Sequence, residues 1–360
     1  MNDRRNMKQL AQNYKDKKVF VTGHTGFKGT WLTKILQQFG ADVVGYSLDP
    51  YASGLHPTQV SGRRGISDLR GDIRDFESLS SAINDAQPDF VFHLAAQAIV
   101  SKSYESPVET FSTNVLGTVH VLEAIRRLEK PCSTVIITSD KVYRNNEWLW
   151  GYKETDQLGG HDPYSASKAA AEIAISTYTD ALIDRSIARV AIGRAGNVVG
   201  GGDWSKDRIV PDCARSWRNR VPVVLRSWNS VRPWQHVLEP LRGYLTLGAE
   251  LVDRAELHGE AFNFGPLPID CRTVGELVDQ LSLIWPEFSH VKEKASSIGH
   301  EAQLLKLNCE KSQTLLGWEP RLNFEATVKM TADWHVIHRN SGDVDDPTYD
   351  QIGQYFELFG

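Results

Sequence analysis

KVFVTGHTGFKGTWL, residues 18–32, decides the fold of the first half of the chain. Its first five residues are a short apolar run, which is typical of a buried strand. The glycine-rich segment GHTGFKG follows, and apolar residues then recur at helical spacing at Trp31, Leu32 and Ile35. A strand that turns through glycines directly into a helix is the first unit of an α/β domain with a parallel sheet.

Similar units continue over the first 200 residues. Short apolar segments at 42–46, 66–69, 89–94, 134–138 and 187–192 predict further strands, and helical patterns follow at 76–84, 107–128 and 164–179. Strands that are apolar throughout and alternate with helices pair in parallel, and helices cover both faces of the sheet. We therefore predict a Rossmann-like, doubly wound parallel sheet in a cofactor-binding domain over residues 1–200. A smaller substrate-binding domain is expected mainly over 201–360, with the chain returning to the first domain around 236–265.

The composition narrows the class of protein. Of the 360 residues, 41% are hydrophobic and 24% are charged, proportions that exclude a disordered or fibrous chain. No apolar run is long enough to span a membrane, and a net charge of −5 without a basic stripe argues against nucleic acid as a partner. The four cysteines lie far apart, which suits a reducing cytoplasm, and no His/Cys/Asp spacing predicts a metal site. We expect a cytoplasmic protein without a signal peptide.

The glycine-rich segment predicts a phosphate-binding turn. Gly23, Gly26 and Gly29 stand between the first strand and its helix. Such glycines let the backbone turn sharply, approach a pyrophosphate and pack the helix on the strand, while N–H groups at the helix N-terminus bind phosphate. We therefore predict that residues 23–29 bind a dinucleotide, including the side chains of His24, Thr25, Phe27 and Lys28. For His24 a second interpretation stays open, in which the ring only tolerates the turn.

Two aspartates follow the next strands. Asp49 comes after the second strand, where a carboxylate accepts hydrogen bonds from a ribose diol and repels a 2′-phosphate, so it favours NAD over NADP. An aspartate before Pro50 is almost equally typical of a turn. Asp72 follows the third strand and is expected within reach of an adenine amino group. Arg63 and Arg64 lie in a predicted loop, where they offer positive charge to a phosphate.

A tyrosine and a lysine four residues apart form the most specific chemical signal. Tyr164 and Lys168 lie at the start of a predicted helix and share one of its faces. An ammonium beside a phenol favours the phenolate, and we expect Lys168 to lower the pKa of Tyr164. Such a tyrosine removes a proton from a hydroxyl group while hydride leaves the same carbon. Ser139, at the end of the fifth strand, is expected to hold the reacting oxygen.

Together these segments resemble a known superfamily. GHTGFKG, HLAAQ (93–97), the Ser139/Tyr164/Lys168 set and RAGNVVGGGDW (194–204) resemble the extended short-chain dehydrogenases/reductases over residues 18–318. Within it, TSDKVYRN (138–145), RAGNVVGGGDW and RPWQHVLEPL (232–241) most resemble the CDP-glucose 4,6-dehydratase family. The resemblance implies tightly bound NAD, a nucleotide-sugar substrate and a homo-oligomer, either dimer or tetramer. It also implies NAD contacts from Ile73, Leu94, Ala95, Ala96, Gln97, Thr138, Tyr164 and Lys168.

The activity that this resemblance implies is a dehydration within deoxysugar biosynthesis of the O-antigen (lipopolysaccharide) type. CDP-glucose would be oxidised at C4, would lose water across C5 and C6, and would regain the hydride at C6, giving CDP-4-dehydro-6-deoxyglucose. A nucleotide-sugar 4-epimerase, or a 4,6-dehydratase of another nucleotide sugar, is the first alternative. The second is a cofactor-sensing protein on the same fold, a class in which the tyrosine or lysine is usually missing.

The residues after Ser139 separate a dehydratase from an epimerase, because only a dehydratase needs an acid for the C6 hydroxyl and a base for C5. Compared with dTDP-glucose dehydratases, which have Asp and Glu here, this sequence has Asp140 and Lys141. We expect Asp140 to be the acid. Lys141 is either a base with a lowered pKa or a positive group that stabilises an enolate. The resemblance also places Asn197 and one or both of Arg208 and Arg232 on the substrate diphosphate, with Arg232 expected first and Arg208 second.

Overall fold

Seven parallel strands form the central sheet. The computed structural model describes residues 7–50, 66–225, 227–293, 304–341 and 345–358. Their strands are β1 (Lys18–Thr22), β2 (Asp42–Ser47), β3 (Ile66–Arg70), β4 (Phe90–His93), β5 (Cys132–Ile137), β6 (Ala188–Arg194), β7 (Val198–Val199), β8 (Val223–Leu225), β9 (Val231–Arg232), β10 (Gln235–His236), β11 (Ala261–Asn263), β12 (Arg272–Thr273) and β13 (His290–Lys292). The strand order of the large sheet is β11-β6-β5-β4-β1-β2-β3. This order, which reverses direction between β1 and β4, confirms the predicted doubly wound fold.

Helices cover both faces of this sheet. They are α1 (Met7–Tyr14), α2 (Phe27–Gln38), α3 (Phe76–Ala86), α4 (Val100–Glu105), α5 (Pro107–Phe111), α6 (Gly117–Arg126), α7 (Pro163–Thr177), α8 (Ile209–Asn219), α9 (Leu238–Asp253), α10 (Val274–Ile284), α11 (Glu310–Leu316), α12 (Phe324–Ser341) and α13 (Asp345–Glu357). On one face Trp31 of α2 and Leu241 of α9 pack with Val19 and Val21 of β1. Helices α3, α6 and α7 cover the other face. Within the described ranges, no helix is long and apolar enough to cross a membrane.

The helix predicted over 107–128 is divided in the structure. A π-helical turn, Ser112–Leu116, lies between α5 and α6. Asn114 is buried in this turn, and its amide bonds both to the backbone of Gln97 and to the hydroxyl of Ser167. A π-turn of this kind adds a residue to a helix and redirects the side chains around it. The contacts of Asn114 therefore give a local reason for the interruption.

The chain returns to the central sheet after residue 235. Helix α9 packs on β5 and β6, and β11 pairs with β6. A second core contains Trp217, Trp285 and Val278 together with Val328 of α12. The boundary at residue 200 remains a prediction.

Helix α13 packs against α2 and α12. The hydroxyl of Tyr349 donates to Gln37 Oε1 at 3.1 Å, and the ammonium of Lys34 lies 4.0 Å from the centre of the Tyr349 ring. On the other side, Trp334 Nε1 of α12 donates to Thr348 Oγ1 at 2.9 Å. The last described helix therefore rests on the helix that follows the glycine-rich turn.

Candidate active site

The candidate site lies where β5 and β6 end. Ser139 and Asp140 follow β5, and Tyr164 and Lys168 project from the first turns of α7. The Asp162 carboxylate caps α7 by accepting from Ser165 N, and Pro163 occupies the first helical position, so the helix starts just before Tyr164. All four side chains are buried, Asp140 at 2% and Tyr164 at 8% exposure. Carboxyl ends of parallel strands are where sites in such sheets form.

Two donors hold the Asp140 carboxylate. Ser139 Oγ donates to Oδ1 at 3.0 Å, and Asn197 Nδ2 donates to Oδ2 at 3.1 Å. A Cβ atom at Gly196 would lie 1.8 Å from Asp140 Oδ2, so only glycine leaves room for the carboxylate. Asn197 itself has a φ of 50°, a left-handed conformation that asparagine tolerates. Asn197, which we predicted on the substrate diphosphate, thus bonds to Asp140 in the structure.

The pKa of Tyr164 is raised, whereas we predicted that it is lowered. Burial raises the pKa of the phenol above its ordinary value, although hydrogen bonding with Ser139 and the charge of Arg208 act against this. Lys168 Nζ donates to the carbonyl of Ile137 at 3.2 Å, and burial lowers the pKa of Lys168 to about 8. The prediction that Lys168 lowers the pKa of Tyr164 is therefore wrong for the chain's own groups. Desolvation of the phenolate outweighs the nearby positive charges.

Lys28 points toward these groups rather than lying only in the glycine-rich turn. Its Nζ is 3.5 Å from the hydroxyl of Tyr244. Burial lowers the pKa of Lys28 to about 7, with further lowering by Arg208 and opposition from Asp140. We predicted Lys28 only as a residue of the phosphate-binding turn. A usable signal is its position in the first turn of α2, where a positive charge opposes the helix dipole.

Of the two predicted substrate arginines, Arg208 is linked to Tyr164. Arg208 Nη1 donates to Asp203 Oδ2 at 3.1 Å, and its charge acts on the phenol of Tyr164. Arg232 is buried in β9, where Nη1 donates to the carbonyl of Val231 at 3.0 Å. The charge of Arg208 thus acts on the catalytic tyrosine. Arg232 lies instead in β9, which pairs with β12.

The glycine-rich turn is as tight as the sequence suggests. Gly23 has a φ of +74°, and a Cβ atom there would lie 2.7 Å from the backbone nitrogen of Ala95. A Cβ atom on Gly29 would lie 2.1 Å from the Gly23 carbonyl oxygen. Helix α2 then begins at Phe27 after Gly26, which provides no side-chain cap. Thr25 fixes the turn to the end of β2 through the hydroxyl of Ser47 at 2.9 Å. Backbone N–H groups at such a helix start suit an anion.

His24 bonds within the protein. Its Nδ1 lies 3.0 Å from Ser47 Oγ and its Nε2 lies 2.9 Å from Asp68 Oδ1. The ring occupies space that exists because residue 45 is glycine, where a Cβ atom would come within 2.4 Å of the ring. Burial lowers the pKa of His24, and Asp68 opposes that effect. These contacts hold the ring toward β2 and β3, so they support the second interpretation of His24 over direct phosphate binding.

The predicted adenosine-binding residues lie at the ends of β2 and β3. The Asp49 side chain is 88% exposed, with its Oδ1 3.6 Å from Arg70 Nε. Hydrogen bonding with Arg74 lowers the pKa of the Asp72 carboxyl. Ile73 is buried and packs against Gly117. The predicted phosphate partners Arg63 and Arg64 lie outside the described residues.

The segment after β4 borders the glycine-rich turn. Ala95 N donates to Thr22 Oγ1 at 3.2 Å, and Leu94, Ala95 and Ala96 are partly buried. The Gln97 amide donates to Thr110 Oγ1 at 2.9 Å and accepts from Ile99 N at 2.7 Å, so its side chain organises this segment. The buried His93 has partners for both ring nitrogens, Thr22 Oγ1 and Thr118 Oγ1, so its polar atoms are satisfied within the protein.

Sequence reasoning missed Asn114 and Glu172. Asn114 connects the segment after β4 with Ser167, the neighbour of Lys168. Glu172 accepts a hydrogen bond from Thr138 Oγ1 at 2.5 Å, so the predicted NAD-binding residue Thr138 has its hydroxyl turned toward α7. Glu172 stands between the apolar residues Ala171 and Ile173, which is a signal for a buried polar role, whereas Asn114 follows Ser112 and Thr113 and carries no such local signal. Among the described residues, no group of three or more His, Cys, Asp or Glu side chains suits a metal ion.

Comparison with known proteins agrees with this arrangement. The model of the family described as GDP-mannose 4,6 dehydratase matches residues 20–331. A CDP-glucose 4,6-dehydratase from Salmonella typhimurium is 44% identical over 331 residues, covering 89% of this chain and 91% of that protein. An epimerase structure from Methanothermobacter thermautotrophicus superimposes with a TM-score of 0.81 at 23% identity, covering 94% and 98% of the two chains. A dTDP-glucose 4,6-dehydratase from Streptomyces venezuelae, solved with NAD, gives 0.76 at 24% identity, covering 90% and 98%.

The two structural matches support the fold, and the sequence matches extend over most of the chain. The resemblance inferred from the glycine-rich turn, the Ser139/Tyr164/Lys168 set and the segment 194–204 is therefore confirmed. The chain belongs to the GDP-mannose 4,6 dehydratase family, within the extended short-chain dehydrogenases/reductases.

Proposed function

We propose that the protein removes water from CDP-glucose with the help of tightly bound NAD and forms CDP-4-dehydro-6-deoxyglucose. The observation that carries this proposal is the Asp140 carboxylate, buried beside Ser139 and held by Asn197. A 4-epimerase needs one proton-transferring group at the C4 oxygen, whereas a 4,6-dehydratase needs a further acid near C6. Asp140 supplies that second group, and the 44% identical CDP-glucose dehydratase supports the choice of nucleotide sugar.

The glycine-rich turn fits NAD. The close approach of Gly23 to Ala95 and of Gly29 to Gly23 leaves backbone, and no side chain, facing a pyrophosphate at the start of α2. Asp49 stands exposed after β2, where its carboxylate suits the ribose diol of NAD and repels the 2′-phosphate of NADP. Asp72 and Ile73 after β3 and residues 94–97 after β4 would border the same ligand. When bound, NAD would take up a hydride from C4 of the hexose and give it back at C6.

Tyr164 and Asp140 divide the proton transfers between them. Tyr164 takes the proton of the C4 hydroxyl, and the hydroxyl of Ser139 hydrogen bonds to the same oxygen. Asp140, in its protonated form, gives a proton to the C6 hydroxyl as that group leaves as water, and a base at C5 takes up the C5 proton. Burial raises the pKa of Tyr164, so a positive charge beside the phenol would favour this proton transfer, and bound NAD would supply one through its oxidised nicotinamide ring.

Lys141 has two possible roles at C5, base or electrostatic stabiliser, and one pair of variants separates them. Its backbone N–H donates to Ser139 Oγ at 3.2 Å, so the residue starts within the catalytic segment. Arginine keeps the positive charge but does not release a proton near neutral pH. If Lys141 is the base, Lys141→Arg and Lys141→Met should both lose about 10²-fold in kcat. If it stabilises the enolate, Lys141→Arg should retain most activity, as measured by the rate of water loss.

The nucleotide diphosphate would lie along the positive groups of the site. Arg208 and Lys28 act electrostatically on each other and on the groups around Asp140. Arginine binds two phosphate oxygens at once through its planar guanidinium group. Arg208 is therefore our first diphosphate ligand, with Arg232 and Asn197 as further contacts from the part of the chain that follows β6.

We also propose a cytoplasmic homo-oligomer, dimer or tetramer. Exposed apolar side chains lie on two neighbouring helices, with Val108 at 82% and Phe111 at 40% on α5 and Ile173 at 61% on α7. Helices α5 and α7 contact each other, and we propose that a second copy covers these exposed apolar side chains. The cysteines are thiols, as expected in a reducing compartment. The product would enter deoxysugar biosynthesis of the O-antigen type and so serve lipopolysaccharide.

Isotope transfer tests the reaction and substrate together. The purified protein is offered the glucose diphosphates of cytidine, thymidine, uridine and guanosine, each carrying deuterium at C4. We expect loss of one water from the cytidine compound and deuterium at C6 of the product, both measured by mass spectrometry and NMR. A product of unchanged mass with inverted C4 would identify an epimerase. Water loss from another nucleotide sugar alone would overturn the proposed substrate, and deuterium released to solvent would overturn the mechanism.

A further inference from the structure

Beneath Lys168 lies a buried carboxylate for which the proposed chemistry has no role. We propose that Glu172 is a positioning residue, which keeps the Lys168 side chain charged and in place at the end of β5. The inference rests on the proposed function, because the charge of Lys168 matters there for proton transfer by Tyr164. It concerns a side chain that does not contact the reacting atoms.

The geometry ties Glu172 to the catalytic edge. Lys168 and Glu172 are one turn apart on α7, so they share a helix face. Glu172 is 3% exposed. It accepts from Thr138 Oγ1, the residue directly before Ser139, at 2.5 Å. Lys168 Nζ donates to the carbonyl of Ile137, one residue earlier on the same strand end, at 3.2 Å. These two hydrogen bonds, from Lys168 to Ile137 and from Thr138 to Glu172, therefore hold α7 against the end of β5 next to Ser139.

A buried guanidinium completes the arrangement. Arg194, the last residue of β6, donates from Nε to both Glu172 oxygens at 2.9 and 3.1 Å, and it is itself 3% exposed. Arg194 Nη1 also donates to the hydroxyl of Tyr143 at 2.7 Å. Tyr143 OH in turn donates to Asn263 Oδ1 of β11 at 2.7 Å. Glu172 is thus fixed by β5 and β6 together.

Glu172 forms an ion pair with Arg194, and its charge also acts on Lys168, one turn earlier on α7. On the other elements, Lys28 of α2 and His93 of β4 face Lys168, and the burial of His93 lowers its pKa to about 3, which keeps it neutral. Arg194 and Tyr143 face Glu172, and Glu154 faces Arg194. Tyr164 lies one turn before Lys168 on α7. Burial lowers the pKa of Lys168 to about 8, and the Glu172 charge opposes this lowering. Without that charge, Lys168 would lose its proton at a lower pH.

The variant Glu172→Gln tests this role through the pH profile. Glutamine retains the shape and the hydrogen bond from Thr138 but removes the charge. We expect the alkaline limb of the kcat profile to move to lower pH by about one unit, because the Glu172 charge opposes the lowering of the Lys168 pKa and a nearby opposite charge shifts a pKa by about that much. The KM for the nucleotide sugar should change little. An unshifted alkaline limb in a folded variant would overturn the proposal.

Glu172→Gln leaves Arg194 buried without its counter-charge, which by itself can destabilise the fold. A second variant therefore separates the effect on Lys168 from a loss of stability. Glu172→Gln/Arg194→Met removes both charges. If Glu172 serves only to balance Arg194, the double variant recovers the wild-type pH profile, and the proposal fails. If Glu172 acts on Lys168, the double variant regains thermal stability while its alkaline limb stays displaced. Glu172→Asp, which restores the charge, should bring the limb back toward the wild-type position.

A measurement without substrate separates this proposal from the proposed function. The rate at which acetic anhydride labels Lys168 is followed by peptide mass spectrometry across pH, with and without Glu172→Gln. We expect the midpoint for Lys168 labelling to fall in the variant, while exposed lysines such as Lys329 keep theirs. An unchanged midpoint contradicts the proposal even if CDP-glucose is the substrate. A lowered midpoint supports it even if the substrate proves to be a different sugar.

Discussion

Two parts of the carboxyl-terminal side of the sheet, called here the β5/β6 edge and the β2/β3 edge, differ in how their polar side chains are held. At the ends of β5 and β6, Ser139, Asp140, Tyr164 and Lys168 are buried and bonded to the chain. At the ends of β2 and β3, Asp49 is largely exposed and Asp72 is paired with Arg74 at the surface. The first edge is organised before any ligand binds, whereas the second offers groups that water still surrounds.

This contrast follows from what each edge has to do. A group that transfers a proton must be placed within hydrogen-bond distance of the reacting atom, and preorganised charges act most strongly where water is excluded. A group that recognises a ribose only has to exchange water for ligand. We therefore expect substitutions at the β5 and β6 edge to change kcat, and those at the β2 and β3 edge to change cofactor affinity.

The largest effect should come from Tyr164→Phe, which removes the acid–base group and keeps the ring. We expect kcat to fall by about 10³-fold, as for the loss of a general base, while NAD binding changes little. Turnover is measured as water loss from CDP-glucose, and NAD binding by calorimetry. Tyr14→Phe is the matched control, since Tyr14 is also buried but its hydroxyl donates to the backbone carbonyl of Leu245. If Tyr164→Phe turned over at the wild-type rate, Tyr164 would not be the acid–base group, and the buried side chains at the ends of β5 and β6 would not be shown to be catalytic.

Asp140→Asn should rank second, with a loss in kcat of about 10²-fold. Asparagine keeps the size that Gly196 permits but supplies no acidic proton for the C6 hydroxyl. We expect CDP-glucose to bind with nearly unchanged affinity in equilibrium titration. Asn197→Asp, which places a second carboxylate against Asp140 Oδ2, should also slow water loss. Full activity of Asp140→Asn would assign the acid to another residue and weaken the case for a dehydratase.

At the β2/β3 edge, Asp49→Ala should weaken NAD binding by about tenfold, because it removes charge-assisted hydrogen bonds to the ribose diol. The preference for NAD over NADP should decrease at the same time. Asp42→Ala is the control, since Asp42 is a similarly exposed carboxylate at the other end of β2. Equal affinities for all three proteins would show that Asp49 is only a turn residue before Pro50.

The smallest effect should be a pH dependence that links the two edges through Lys28. Because the pKa of Lys28 is lowered to about 7, its positive charge is lost as pH rises through neutrality. We therefore expect the KM for the nucleotide sugar to rise severalfold between pH 6 and pH 8. Lys28→Met should show a flatter KM profile with the higher value throughout. An identical profile in both proteins would place Lys28 away from the diphosphate.

The sheet could be predicted from sequence because its strands are continuous apolar runs and the glycine-rich turn marks the first crossover. The pairing of Tyr164 with Lys168 was visible for a similar reason, since four residues on a helix fix which face both occupy.

The rest depends on contacts between distant parts of the chain. Asn197 lies 57 residues from Asp140, and only folding shows that it bonds to the carboxylate. The direction of the Lys28 side chain is set by Tyr244 and by the site around it. The pKa of Tyr164 depends on how completely water is excluded, and spacing carries no measure of that. Local pattern therefore identified the participants, while desolvation and long-range packing decided how they are held.

The docking of α13 on α2 through Tyr349, Gln37 and Lys34 has a practical consequence. Helix α13 supports α2, the helix that follows the glycine-rich turn, although the two lie more than 300 residues apart in the sequence. Removing α13, or fusing a bulky tag to it, would therefore loosen the scaffold on which the glycine-rich turn is built.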